Sequence, residues 1–341
     1  MNLSDLNKVA RAMVAPGKGI LAADESTGTI KKRFDAINVA STEESRRDYR
    51  EMLFRSSEAM TRCISGVILY DETIWQNAKD GTPLIRLIEQ SGAIPGIKVD
   101  EGTQPLPQCP GEVVTAGLDR LAERLKKYYE RGARFAKWRA VIDIGPGIPT
   151  RTAIEVNAHA LARYAALCQD AQIVPIVEPE VLMDGDHDID RCYDVTRRVL
   201  NKTFQELRVQ RVALEGMVLK PNMVVSGKKS PKQASVEEVA EKTVRLLKNC
   251  VPAAVPGIAF LSGGQSDEEA TAHLNAMNRT GGLPWPLTFS YGRALQAAPQ
   301  KAWSGKSENV AAGQRAFIHR ARMNSLASKG EWQAELEKKA A

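Results

Sequence analysis

Residues 135–180 read FAKWRAVIDIGPGIPTRTAIEVNAHALARYAALCQDAQIVPIVEPE and contain two apolar runs with a helical pattern between them. The runs are FAKWRAVI (135–142) and IVPIVEPE (173–180). Between them Val156, Ala160, Leu161, Tyr164 and Leu167 recur at helical spacing over 155–168. A strand, a crossover helix and a second strand make the parallel βαβ unit. Near-continuous apolar strands suit a parallel sheet covered on both faces.

The same alternation extends outward in both directions. Upstream lie GILAADE (19–25), GVILYD (66–71) and GIKVD (96–100); downstream lie EGMVLKPN (215–222), IAFLSGG (258–264) and PLTFSYG (286–292). The pattern over 235–249 opens on Ser235 with Glu238 three residues on, a capping-box spacing. Eight strand candidates separated by helices predict an α/β chain folded as a (β/α)8 TIM barrel. A doubly wound open sheet satisfies the same runs, because short apolar segments do not prove closure. An amphipathic stretch near 4–14, with Ser4 as N-cap, predicts an N-terminal helix broken at Pro16-Gly17. The charged segment 305–341 predicts a helical C-terminal extension to a single domain spanning 1–341.

Composition narrows the function classes. The chain has 341 residues, 43% hydrophobic and 26% charged, an ordinary globular balance. Its net charge of +6 is spread over the chain without a basic block, which fits a solvated surface and not a nucleic-acid footprint. The five cysteines are widely spaced with no CxxC, a pattern of free thiols in a reducing compartment. No apolar stretch has the length of a membrane span and the N-terminus has no signal-like apolar core, so a cytoplasmic protein is expected. GPGIP (145–149) is no dinucleotide fingerprint, and no Walker A motif occurs. DGDHDID (184–190) lacks EF-hand spacing and is read as a solvated turn. The four histidines are dispersed; His159 is expected to pack or cap within its helix.

Chemistry concentrates where the apolar runs end. In a parallel barrel those C-terminal strand ends face the active site. Here they carry Asp24, Glu25, Asp71, Lys98, Lys137, Arg139, Glu178, Glu180, Lys220 and Ser262-Gly263-Gly264. Lys220 ends a strand at a proline. A desolvated amine beside a cation is a nucleophile for imine formation, while a lysine snorkelling at the barrel rim fits the same placement. Lys137 and Arg139 share one strand face, as do Glu178 and Glu180. Paired cations suit an anion, and paired carboxylates suit acid–base work. SGG (262–264) and SYGR (290–293) end the last two runs, where barrels commonly bind phosphate.

Seven ordered motifs resemble the class I fructose-bisphosphate aldolase family: LAADESTG (21–28), GIKVD (96–100), FAKWRAV (135–141), IVEPE (176–180), LEGMVLKPNMV (214–224), LSGGQS (261–266) and FSYGRALQ (289–296). The resemblance runs from about residue 10 to 328. It implies reversible cleavage of fructose 1,6-bisphosphate to dihydroxyacetone phosphate and glyceraldehyde 3-phosphate, in glycolysis and gluconeogenesis, without a metal or other cofactor. It implies Lys220 as the Schiff-base lysine and Glu178 as its acid–base partner. Lys137 is implied to be the neighbouring cation that helps free the Lys220 amine, Asp24 the carboxylate that positions substrate and aids cleavage, and Glu180 a supporting partner. Ser262, Gly263, Gly264, Ser290, Gly292 and Arg293 match the ring around the ketose C1 phosphate. Ser26, Thr29, Arg33, Lys98 and Arg139 match the other phosphate or substrate end, with Thr29 standing where serine is common. The partners implied are small sugar phosphates and further copies of the chain, a homotetramer, with neither nucleic acid nor membrane. Many animal and plant members end in a terminal tyrosine linked to enamine proton exchange. The last tyrosine here is Tyr291 and the final residues are Ala340-Ala341, which leaves the preference between fructose 1,6-bisphosphate and fructose 1-phosphate open. Other Schiff-base barrels, transaldolase-like or deoxysugar-phosphate aldolases, and a non-catalytic binding protein are the competing readings.

Overall fold

The computed structural model describes residues 2–340. Eight parallel strands close into one barrel: β1 (Gly19–Ala23), β2 (Ile64–Leu69), β3 (Ile94–Lys98), β4 (Phe135–Ile142), β5 (Val174–Val181), β6 (Val218–Leu219), β7 (Ile258–Phe260) and β8 (Leu287–Tyr291). Each strand pairs with its neighbours in sequence, and β1 closes on β8 through Ile20 opposite Ser290 and Leu21 opposite Tyr291. The closed barrel excludes the open doubly wound sheet. All eight apolar runs become strands, and every crossover carries helix.

The lower half of the barrel is apolar. Ile20, Ile68, Phe135, Val174, Ile176, Val218 and Ala259 are fully buried there. Burying each large side chain contributes about 1.5–3 kcal/mol. Phe135 fits because Gly66 and Gly96 on the two preceding strands have no side chain. A Cβ on Gly96 would strike the Phe135 ring, and one on Gly66 would lie 2.9 Å from it. The N-terminal helix Leu3–Met13 closes this end with Leu6, Ala10 and Met13. Ser65 Oγ donates to the Met13 carbonyl at 2.6 Å and ties that helix to β2. Its N-cap is Asn2 and not Ser4: the Asn2 side chain accepts from the Asp5 N–H, leaving Ser4 inside the first turn.

At the opposite end the strands hand over to helices through capped turns. Ser26, Thr150, Asp188, Ser235 and Ser266 are N-caps whose side chains accept a backbone N–H three residues on. Such a cap contributes about 1 kcal/mol. The helix after β4 runs from Arg151 to Asp170, and that after β6 from Val236 to Cys250. β6 is short because Pro221 has no N–H to continue the ladder. The Lys220 N–H still donates to the Val177 carbonyl at 2.9 Å, so the backbone of Lys220 stays registered on β5.

A two-stranded antiparallel hairpin, Thr103–Pro105 with Val113–Thr115, is inserted after β3. Its first strand is wholly exposed, so no apolar run marks it. Helix Val310–Ala327 packs on Arg293–Trp303 and on the helices after β1. His159 neither packs nor caps. It is half-exposed, and its Nδ1 lies 3.2 Å from Glu206 on the neighbouring helix, where helical periodicity alone could not pair it. All five cysteines are free and buried. No helix among the described residues is long and apolar enough to cross a membrane.

Candidate active site

A cavity of about 640 Å³ opens at the C-terminal ends of the strands. The sixteen residues to which the resemblance gave roles all line it, from Asp24 just after β1 to Arg293 after β8. Asp71, the other strand-end candidate besides Glu25, does not: it opens a short helix and accepts from the Tyr128 hydroxyl at 2.7 Å. Alternation along β4 turns Lys137 and Arg139 inward together, and along β5 Glu178 and Glu180.

Four charged groups form a chain of contacts across the floor. Lys137 Nζ lies 3.0 Å from Asp24 Oδ2 and 3.1 Å from Glu178 Oε2. Lys220 Nζ lies 3.2 Å from Glu178 Oε1. All four groups are buried, so each owes its solvation to the others and to whatever enters the cavity. Burial by itself would raise the Asp24 carboxyl, but Lys137, with Lys220 and Lys98 behind it, outweighs burial and holds it at about 2. Burial would likewise lower Lys137, but Asp24, Glu178 and Asp100 push it well above the usual lysine range. Lys137 is therefore a fixed cation at neutral pH, and Asp24 a fixed anion. Lys220 has a single carboxylate within ion-pairing reach among the described residues, and its amine borders the open cavity.

The upper wall carries a second set of charges. Arg139 pairs with Glu180, and Lys98 Nζ lies 3.3 Å from Asp100. Arg33 pairs with Glu25 at the rim. Across from them, Gly263 and Gly264 take left-handed backbone with φ of 48° and 83°. Successive N–H groups in such a turn form a concavity for an anion. The Ser290 hydroxyl is buried with no protein hydrogen-bond partner among the described residues, and Arg293 makes no ion pair among them. A hydroxyl, a glycine turn and a free guanidinium facing one space suit a phosphate.

Four further charged residues line the cavity without having been assigned a role: Glu25, Asp100, Asp184 and Lys228. Glu25 shapes Arg33. Its carboxylate also accepts from Gln296 Nε2 at 2.8 Å, and its carbonyl from Arg50 Nη2 at 2.9 Å. Its position beside Asp24 at a strand end was a legible signal. Asp184 opens DGDHDID, which is not the wholly solvated turn expected: Asp184 reaches the cavity mouth and His187 is buried. Nothing local marks either, because both face the loop after β6.

Comparison with known proteins places this geometry. The family model described as fructose-bisphosphate aldolase class-I matches residues 5–341. The chain belongs to the class I fructose-bisphosphate aldolase family. A probable fructose-bisphosphate aldolase class 1 of Xanthomonas campestris is 58% identical over 97% of this chain and 99% of its own length. The cytosolic fructose-bisphosphate aldolase 6 of Arabidopsis thaliana is 55% identical over 94% of this chain and 89% of its own. The Plasmodium falciparum fructose-bisphosphate aldolase, solved in a ternary complex with TRAP and a small-molecule inhibitor, superposes with a TM-score of 0.95. It is 49% identical, and the match covers 97% of this chain and 96% of that one. Among aldolases of this class, then, the chain aligns end to end, with the barrel and its charged mouth inside the matched region.

Proposed function

We propose that the chain reversibly cleaves fructose 1,6-bisphosphate to dihydroxyacetone phosphate and glyceraldehyde 3-phosphate through an imine on Lys220. The observation that carries this reading is the contact chain Asp24–Lys137–Glu178–Lys220 on the floor of one cavity whose walls carry Arg33, Lys98, Arg139 and Arg293. The unprotonated Lys220 amine adds to the ketose C2 carbonyl. Glu178, 3.2 Å away, shuttles the protons that let the carbinolamine lose water. The resulting iminium accepts the C3–C4 bonding pair, and a carboxylate takes the C4 hydroxyl proton as the aldose phosphate leaves. Asp24 and Glu178 both border this space. The enamine is then protonated at C3, and water releases dihydroxyacetone phosphate and restores Lys220.

Lys137 keeps its proton throughout and holds the two carboxylates in place. Glu180 supports Arg139. Ser262–Gly264, Ser290, Gly292 and Arg293 receive the C1 phosphate; Ser26, Thr29, Arg33, Lys98 and Arg139 receive the other end. The whole chain acts as one domain, as a homotetramer, in the cytosol. The last of these is supported by the cytosolic designation of the Arabidopsis relative.

The test is to incubate the protein with dihydroxyacetone phosphate in EDTA, add borohydride, and locate the adduct by mass spectrometry. The expected result is a stable adduct on Lys220, absent in Lys220→Ala, with cleavage unaffected by EDTA. No adduct with EDTA-sensitive cleavage overturns the imine mechanism. A folded Lys220→Ala protein that retains full turnover overturns the assignment of the lysine.

A further inference from the structure

The loops that follow β5 and β6 are laced together above the barrel. The Gly227 N–H donates to the His187 carbonyl at 2.8 Å, Lys228 N–H to Met183 at 2.7 Å, and Lys229 N–H to Gly185 at 3.0 Å. The two backbones approach this closely because Gly227 has no side chain; a Cβ there would collide with the Gly185 carbonyl. This seam carries Lys228 to the cavity wall, where its Nζ pairs with Asp184 Oδ1 at 2.6 Å.

The same ammonium sits over the glycine turn of β7. It lies 2.5 Å from the point where a Cβ on Gly264 would be, and Arg293 Nη2 lies 3.4 Å from that point. Two cations thus converge on one spot beside two left-handed glycines, in the cavity that the buried Ser290 hydroxyl, unpartnered among the described residues, also lines. Asp184 offsets the Lys228 ammonium, and its side chain is 60% exposed. An exposed ion pair of this kind contributes little and exchanges readily. A phosphate dianion between Lys228 and Arg293 would accept charge-assisted hydrogen bonds from both.

We propose that Lys228 is a further substrate-binding residue, which leaves Asp184 when substrate enters and binds the phosphate at the ketose C1 end together with Arg293 and Ser262–Gly264. The proposal rests on the aldolase reading above and adds a cation contributed by a different loop. Asp184 acts as a placeholder: it keeps the ammonium at the mouth in the empty enzyme and competes weakly with the incoming phosphate.

The test uses the whole 341-residue chain and dihydroxyacetone phosphate, which carries this phosphate alone. In Lys228→Met its apparent dissociation constant, from the concentration dependence of borohydride trapping, rises about tenfold, equivalent to about 1.4 kcal/mol. KM for fructose 1-phosphate and for fructose 1,6-bisphosphate rises by the same factor, with kcat changed less than KM. Lys228→Arg restores most of the affinity. Asp184→Asn tightens binding when Lys228 is present and has no effect in the Lys228→Met background. An unchanged constant in Lys228→Met overturns the proposal. So does Asp184→Asn weakening binding as much as Lys228→Met, which would make the pair a clamp between loops. If the unmodified enzyme forms no adduct at all, the imine reading itself fails and takes this proposal with it; a normal adduct with unaltered affinity removes Lys228 alone.

Discussion

Replacing Glu178 by glutamine keeps its size and removes its ability to carry a proton. Glu178 is 2% exposed and lies 3.1 Å from Lys137 Nζ and 3.2 Å from Lys220 Nζ. The amide offers an N–H toward one of two ammonium donors and leaves Lys220 without a carboxylate in reach among the described residues. Positioned acid–base catalysis contributes about 10²–10⁴-fold, so kcat should fall about 10³-fold. The stability cost is bounded by the roughly 3–5 kcal/mol of breaking a buried ion pair. It should fall below that bound, because the cavity admits water to Lys220 and Asp24 still holds Lys137 at 3.0 Å. The assay is single-turnover cleavage of fructose 1,6-bisphosphate by rapid quench, with borohydride trapping at each time point and a thermal melt of the same sample. Adduct should still form on Lys220, but far more slowly, and product release should lag behind it. A folded Glu178→Gln protein whose kcat stays within tenfold of the parent would refute the role given to this carboxylate.

Two other outcomes follow from the structure. Gly96→Ala places a methyl group against the Phe135 ring inside the barrel; overpacking costs about 1–3 kcal/mol, which urea melts would read as a lower midpoint, and Phe135→Leu in the same chain should recover part of it. Asp24 has a folded-state pKa of about 2 against an ordinary 3.8. Its contribution to stability is therefore complete above pH 5 and is lost as pH falls toward 2. Between pH 5 and pH 3 the parent should lose about 1 kcal/mol more than Asp24→Asn in urea melts, and equal losses would contradict the ion pairing of this carboxylate.

Much of the site was legible because a parallel barrel writes its function at strand ends. The runs carrying Lys137, Glu178 and Lys220 are covered on both faces, so they stand out as apolar, and a charged residue in each is conspicuous. Period-two alternation placed Lys137 with Arg139, and Glu178 with Glu180, on shared faces. The hairpin at 103–115 was invisible for the opposite reason: its first strand is exposed and polar, with no burial to pattern it. Glu25 could be seen but not assigned, because its partners Arg50 and Gln296 are 25 and 271 residues away.

By itself, then, the sequence determined eight parallel strands, the helices between them, and which residues stand at the strand ends, since all of these follow from local periodicity, capping and steric rules. Closure of β8 onto β1 was decided only in three dimensions, and with it the meeting of Asp24 and Lys137 across 113 residues. The approach of Lys228 to Gly264 and Arg293 was decided there too, by backbone hydrogen bonds between two loops and by a glycine that lets them touch. Local patterns record which face of an element is buried; they carry no information about which distant loop lies across from it.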